Sequence, residues 1–313
     1  MSSVQSKSLD LTYSNATTYL TATGDGKVPY TGTAGSSQYA FAVAAYQGTG
    51  TIVLNDAAKK KLYPNATAKP TRVTGNYKLH VSANNLNNNY MNFVMNGSTI
   101  KEGSGKISKD SPVTYSFDNS SSAVTDYTRD NSDIHYAGRA YIVLGLIMAD
   151  AVSTANITFY FTRYDFSATA DTGVTSASVS SSTGYDGDTV TFSCVIPTGY
   201  VFDGWYNGTT LVSSSQSYTH TVNGADLSLT AKAHQDTHSV NGTYNGSTKA
   251  ILTGVTGDVT VSYNGKTKTL NSSAASHTLS CANKAMHGNV SVGSASLATA
   301  EKIMRSDLVL DYV

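Results

Sequence analysis

Six Asn-Gly dipeptides punctuate this 313-residue chain, at Asn96-Gly97, Asn207-Gly208, Asn223-Gly224, Asn241-Gly242, Asn245-Gly246 and Asn264-Gly265. Both residues accept the positive φ of a type I′ turn, whose twist suits two antiparallel strands, so each pair is a hairpin candidate. The clearest is DVTVSYNGKTKTL, where Val259–Tyr263 runs up and Lys266–Leu270 returns. Val, Thr and Tyr, which favour a pleated and half-buried surface, fill the segments between turns. Helix signals are scarce: NDAAKKKL at 55–62, with Asn55 as N-cap and Pro64 just beyond, and LATAEKIM at 297–304. The expected fold class is all-β.

Length suggests two or three domains, and the pattern divides into three regions. Residues 1–165 hold YAFAVAAY (39–46), TIVL (51–54), NYKLHVSA (76–83), YMNFVM (90–95), VTYSF (113–117), the apolar run AYIVLGLIMA (140–149) and NITFYFTRYDF (156–166). In the last of these Ile157, Phe159 and Phe161 share one face. So many strands without interleaved helices predict a β-sandwich of jelly-roll type, serving to anchor or oligomerise. Residues 166–233 form a compact strand-and-turn region, and residues 234–313, after the polar string HQDTHS, a small C-terminal β region. Each small region buries little core and is expected to lean on neighbours or oligomer contacts.

Composition narrows the function classes. Only 13% of residues are charged, about half the usual share, and 21 basic residues balance 21 acidic ones. Nucleic-acid binding needs a basic surface to neutralise phosphates, so it is not expected. The densest basic cluster, Lys59, Lys60 and Lys61, reads as a solvated face. The two cysteines, Cys194 and Cys281, fall in different regions and read as free thiols rather than a disulfide framework. The opening MSSVQSKSLDL has no apolar stretch of signal-peptide type. The run 140–149 is too short to span a bilayer and fits a buried strand. A chain with a surface protein's composition and no export leader is expected in a virion, which lysis releases; a processed chain or a non-classical export route would resolve the same conflict.

Two segments carry resemblances. The string GYDGDTVTFSCVIPTGYVFDGWYNGTTLVSSSQSYTHTVNGADLSLTAKA resembles the bacterial surface repeat related to the internalin B repeat, the Listeria–Bacteroides repeat. Gly187, Asp188, Gly199, Tyr200, Phe202, Gly204, Trp205 and Tyr206 carry it, with the closing strands at 218–222 and 229–231. The resemblance implies a small β module used as a spacer or contact domain. In the third region SVNGTYNGS (239–247) and LSCANKAMHGNVSVG (279–293) are similar to a segment common in phage tail and fibre proteins. Together these point to a bacteriophage virion surface protein. No family is identified for residues 1–165.

Motifs for catalysis are sparse. There is no G-x-S-x-G elbow and no H-E-x-x-H. Gly265-Lys266-Thr267 looks like the end of a phosphate-binding loop, but Thr260 stands where the first glycine belongs, so it reads as a hairpin turn. His234 and His238 share a face only on a helix, and HQDTH reads as a linker; the other histidines, His80, His135, His220, His277 and His287, are scattered. Asp126, Asp130 and Asp133, with Asn131 among them, offer oxygen ligands of the kind Ca²⁺ takes, at a spacing that matches no EF-hand, and read as a polar loop. Asp186 and Asp188 read as turn residues. No pair of carboxylates is singled out for glycoside hydrolysis. The sequons at Asn15, Asn65, Asn156 and Asn207 carry no meaning in an Asn- and Thr-rich chain. Trp205, the only tryptophan, is either a sugar-stacking platform or a core residue packed with Phe202 and Tyr200; the resemblance favours the core. Tyr30, Tyr127 and Tyr136 lie in loop-like contexts where Tyr could supply contact area.

The expectation is a non-catalytic virion structural protein, a capsid decoration or head fibre, with no catalytic, cofactor-binding or metal residue assigned. Its partners would be the major capsid protein or another virion protein and further copies of itself, as trimer or dimer; nucleic acid and membrane are not expected. The alternative is a tail fibre or adhesin gripping host cell-surface glycan.

Overall fold

A computed structural model describes residues 1–31, 38–44, 48–81, 86–107, 112–139, 149–197 and 200–235, with strand segments 241–244, 249–253, 259–263, 266–270 and 276–280. In chain order the strands are β1 (Ser3–Leu11), β2 (Leu20–Gly24), β3 (Gly26–Lys27), β4 (Tyr30–Thr31), β5 (Gln38–Tyr39), β6 (Phe41–Ala44), β7 (Thr49–Leu54), β8 (Arg72–Val81), β9 (Leu86–Met95), β10 (Ser98–Lys101), β11 (Ser104–Ile107), β12 (Val113–Asn119), β13 (Ile134–Arg139) and β14 (Ala149–Ala170). There follow β15 (Ser176–Val179), β16 (Thr183–Gly184), β17 (Thr189–Val195), β18 (Tyr200–Asn207), β19 (Thr210–Ser213), β20 (Ser217–Thr221), β21 (Leu227–Gln235), β22 (Asn241–Tyr244), β23 (Lys249–Thr253), β24 (Val259–Tyr263), β25 (Lys266–Leu270) and β26 (Ser276–Ser280). Among the described residues the helices are short: α1 (Ala16–Tyr19), α2 (Asp56–Leu62) and α3 (Ser122–Thr125). The protein is all-β. The expected helix at 297–304 and most of the apolar run 140–149 lie outside the described residues.

Two compact units separate by their contacts. The first holds Met1–Phe166, Ser181–Val190 and His220–Leu227; the second holds Ser167–Ser180, Thr191–Thr219 and Ser228–Val313. Two short segments of the 166–233 region therefore pack with the first unit. Their attachment is specific. The Asn65 amide donates to the Asp186 carbonyl at 3.0 Å and to Asp188 Oδ1 at 2.7 Å. Val222 is buried, and the Phe166 and His220 rings lie 6.1 Å apart. Gly187, at φ +85°, lies so close to Thr67 that a β-carbon would sit 1.6 Å from its hydroxyl, which excludes any side chain.

The first unit is a jelly roll. One sheet runs β12-β8-β14, with β1 and β6 also pairing β14. The other runs β10-β9-β13-β7-β2, with β11 on β9. The chain passes from sheet to sheet: β1 in the first, β2 and β7 in the second, β8 back in the first, then β9, β12, β13 and β14 in alternation. The first and last strands lie side by side, antiparallel, with Leu9 opposite Ile157. This shuttling between two antiparallel sheets is the doubled Greek key of a jelly roll.

Alternation along the strands fills the space between the sheets. Leu9, Leu11, Val73, Tyr77, Leu79, Phe117, Ile157, Phe159 and Phe161 enter from one side. Ile52, Leu54, Met91, Phe93, Met95, Ile134 and Tyr136 enter from the other. All belong to one buried cluster, which Ala58 and Leu62 of α2 also join. Phe93 stacks on Phe117 at 4.5 Å, and Tyr136 meets Phe41, Phe93 and Tyr77 at 4.8, 5.2 and 5.3 Å. The sequence context of Tyr136 looks like a loop, but the residue sits mid-strand in β13 and is fully buried.

The second unit holds the three-stranded sheet β15-β17-β20 and the strands β21-β18-β19, which continue from the end of β14. Phe192, Trp205, Leu229 and Ala231 are fully buried. Gly204 takes φ +143° where the β18–β21 register slips, and a β-carbon there would meet Leu211 at 2.3 Å. Farther along, β22-β23-β26 form a sheet and β24-β25 a hairpin in the register expected from sequence, Tyr263 opposite Lys266. Asn96-Gly97 is a two-residue hairpin turn, with Met95 paired to Ser98 and both turn residues at positive φ. Asn241-Gly242 is not a turn: it opens β22 and pairs with Thr253 and Leu252.

Candidate functional site

A concave site lies where α2 faces the 128–133 turn. The helix starts at Asn55 because its side-chain oxygen accepts from Ala57 N at 3.0 Å and Ala58 N at 3.2 Å, satisfying two otherwise orphan donors. The Asn55 amide also donates to the Thr18 carbonyl at 3.0 Å. Ala58 and Leu62 face the core, which leaves Lys60 and Lys61 in solvent. The opposing turn is fixed by Asn131, whose Oδ1 accepts from Thr128 N at 2.7 Å and Thr128 Oγ1 at 2.9 Å. Ser132 N donates to the Thr128 carbonyl at 3.0 Å. Asp133 N donates to Asn96 Oδ1 at 2.8 Å, and Asn96 N returns a bond to the Asp133 carbonyl at 2.7 Å. Lys59 ties the walls together, its ammonium donating to the Ser132 carbonyl at 2.7 Å. Between them lies a cavity of about 220 Å³ lined by Asp56, Lys59, Lys60, Arg129 and Asp130.

The acidic string does not converge. Asp126 ends α3, its N–H bonded to the Ser122 carbonyl. Asp130 turns to Arg129, Oδ1 to Nε at 2.9 Å, and Asp133 faces His135 Nδ1 at 3.3 Å. Among the described residues, no three His, Cys, Asp or Glu side chains are grouped to hold a metal ion.

A second surface is the outer face of the β1-β14-β8-β12 sheet. Cross-strand registry lines up Asp10, Asn156, Asn76 and Ser116 in one row, Ser8, Thr158, Thr74 and Asp118 in the next, and Ser6, Tyr160 and Arg72 in a third. Every one is exposed or half-buried. The rows are knitted internally. The Ser8 and Thr158 hydroxyls are 2.9 Å apart, the Asn156 amide donates to Asp10, and the Thr74 hydroxyl donates to the Tyr160 hydroxyl at 3.4 Å. Arg72 forks onto Asp118 and lies over the Tyr160 ring, 5.2 Å from its centre. The guanidinium's hydrogen bonds hold the Asp118 carboxyl below the usual carboxylate range. This array was missed in the sequence because it exists only across strands far apart in the chain.

The remaining candidates fall elsewhere. Trp205 is inaccessible, edge-on to Phe192 at 5.7 Å and Phe202 at 6.2 Å, with Nε1 donating to the Gln216 carbonyl at 3.4 Å, so it is no sugar platform. Tyr200 instead covers Gly173. Tyr30 stacks on Tyr39 at 6.1 Å. Tyr127 is half-buried beside the acidic turn. His234 pairs through Nδ1 with Asp203, while His238 lies outside the described residues. Cys194 is a half-buried free thiol, its pKa raised by burial; Cys281 lies outside the described residues. No described helix is long and apolar enough to cross a membrane.

No family model matches the chain, and no curated protein matches it. Among solved structures, dimeric latent PorU from Porphyromonas gingivalis is similar at 10% identity and TM-score 0.28, covering 46% of this chain and 13% of that one. A CBM4 structure follows at 16% identity and TM-score 0.24, covering 44% and 89%. The glycoside hydrolase domain of Endo-D from Streptococcus pneumoniae R6 gives 12% identity and TM-score 0.21, covering 82% and 38%. Likenesses this slight decide neither fold nor ligand.

Proposed function

We propose that this chain is a non-catalytic structural protein of a bacteriophage surface, a capsid decoration or head fibre. In this reading the jelly-roll unit supplies the anchoring and oligomerising surface, and the later β segments supply the displayed part. The observation that carries the proposal is the jelly roll itself, a connectivity used in viral shells as well as lectins. The similarity of 239–247 and 279–293 to phage fibre segments supports the same reading. An uncharged Ser-, Thr- and Asn-rich exterior suits display, because it offers little for nonspecific electrostatic adhesion.

A second reading, attachment to host glycan, is favoured by the outer face of β1-β14-β8-β12. Its hydroxyls, amides and two carboxylates stand in rows, pre-positioned by their own hydrogen bonds, and could meet the hydroxyls of a saccharide. Immunogold microscopy with antibody to residues 166–313 separates the two. Gold on phage heads is the expected result. Gold at tail tips would move the assignment to host attachment, and gold on bacterial walls alone would sink the virion reading.

A further inference from the structure

Charged residues make up only 13% of the chain, yet all five residues lining the cleft between α2 and the 128–133 turn are charged. Basic and acidic residues balance over the whole chain, 21 to 21. The cleft is lined by three cations, Lys59, Lys60 and Arg129, against two carboxylates, Asp56 and Asp130. One of those carboxylates is already neutralised, since Asp130 takes the Arg129 Nε–H at 2.9 Å. An ammonium carries three donors and a guanidinium five. Lys59 spends one on the Ser132 carbonyl and Arg129 spends one on Asp130. Lys60 stands exposed at the rim. The Arg129–Asp130 pair cancels, so Lys59 and Lys60 against Asp56 leave the walls one net positive charge, with more donors than acceptors.

We infer that this cleft binds a carboxylate-bearing sugar, a hexuronate-type residue of an acidic polysaccharide. Size and charge both select that class. A cavity of about 220 Å³ is smaller than the pockets that enclose drug-sized ligands, which start near 300 Å³, and suits a single ring held by its charged group. The carboxylate would meet Lys60 and the terminal nitrogens of Arg129. Asp56 is left to accept from ring hydroxyls, a role an acceptor-only carboxylate can fill. The same Asp56 disfavours phosphate, whose charge at neutral pH is higher than one. Preorganisation lowers the cost of binding, because Asn55 fixes one wall, Asn131 and Asn96 the other, and Lys59 the gap between them. The charges are solvent-facing, so affinity for one sugar is weak and falls with salt. A polymer with a uronate in each repeat would gain from multiple attachment across several copies. This inference stands whether the chain sits on a phage head or elsewhere.

The test is calorimetric titration of the full chain at low salt with methyl glucuronide, methyl glucoside and inorganic phosphate, each alone. Binding of the glucuronide, about threefold or more tighter than the glucoside, is expected at low salt, because a solvent-facing charge pair adds only a modest term. Lys60→Gln lies on the solvent side of α2, away from both the cap and the core, and should weaken glucuronide binding about twofold or more. Arg129→Gln should weaken it as well, with thermal melts confirming that both variants fold. Glucuronide binding absent, or unchanged in both variants, would overturn the inference. Phosphate binding without glucuronide binding would overturn the sugar assignment.

Discussion

At the scale of single residues, two buried tyrosines in contact behave as opposites. The Tyr77 hydroxyl donates to the Met91 carbonyl at 2.6 Å. The Tyr136 hydroxyl is buried and has no hydrogen-bond partner among the described residues. A buried polar group without a partner costs free energy, whereas a satisfied one contributes about 1 kcal/mol. Tyr136→Phe should therefore leave stability unchanged or raise it by up to about 1 kcal/mol, and Tyr77→Phe should lower it by about 1 kcal/mol or more. Urea unfolding of the two variants checks the pair; equal losses from both would show that Tyr136 has a partner after all. Legibility at this scale is uneven. The inward alternation of Ile157, Phe159 and Phe161 is plain in the sequence because their neighbours are polar. Tyr136 is disguised, since Asp133 and His135 beside it make the string DNSDIHY look like a loop. Only the pairing of β13 with β7 and β9 shows that its polar residues belong to an outer sheet face.

At the scale of elements, α2 is the part the sequence states most completely. Asn55, the apolar Ala58 and Leu62, and Pro64 give its start, its buried face and its end. Asn55→Ala removes two accepted N–H bonds and should cost about 1 kcal/mol. It should also loosen one wall of the cleft, so glucuronide binding should weaken although the cavity lining is untouched. A melt that shifts while affinity stays constant would show that the wall holds without its cap. Local turn chemistry was a fair guide to hairpins but not a sufficient one. Asn96-Gly97 turns because strands of matching register flank it. Asn241-Gly242 does not, because β23 offers both residues a strand partner.

For the molecule as a whole, the core of the first unit carries an alkaline limit. Burial raises the phenols of Tyr63, Tyr77 and Tyr136, that of Tyr63 to about 12. In the unfolded chain tyrosine ionises near 10. Between those values the unfolded state releases protons that the folded state keeps, so stability falls as pH rises; below about 10 the contribution is complete. Phenolate absorbance should rise cooperatively, together with loss of near-ultraviolet dichroism, in the window between about 10 and 12. Gradual ionisation near 10 with the dichroism intact would show that these phenols reach water in the native state.

The sequence by itself determined the strand class, the inward pattern of the large apolar residues and the capped helix, because each rests on residues within a turn or two of one another. It also indicated a sandwich. Beyond the local hairpins, tertiary structure alone decided which strands pair. Leu9 meets Ile157 across nearly half the chain, and that closure is set by long-range burial, not by local preference. The same closure creates the polar rows on the outer sheet face. It also brings Lys59 and Lys60 opposite Arg129, so a basic run that reads as solvated surface becomes one wall of a cleft.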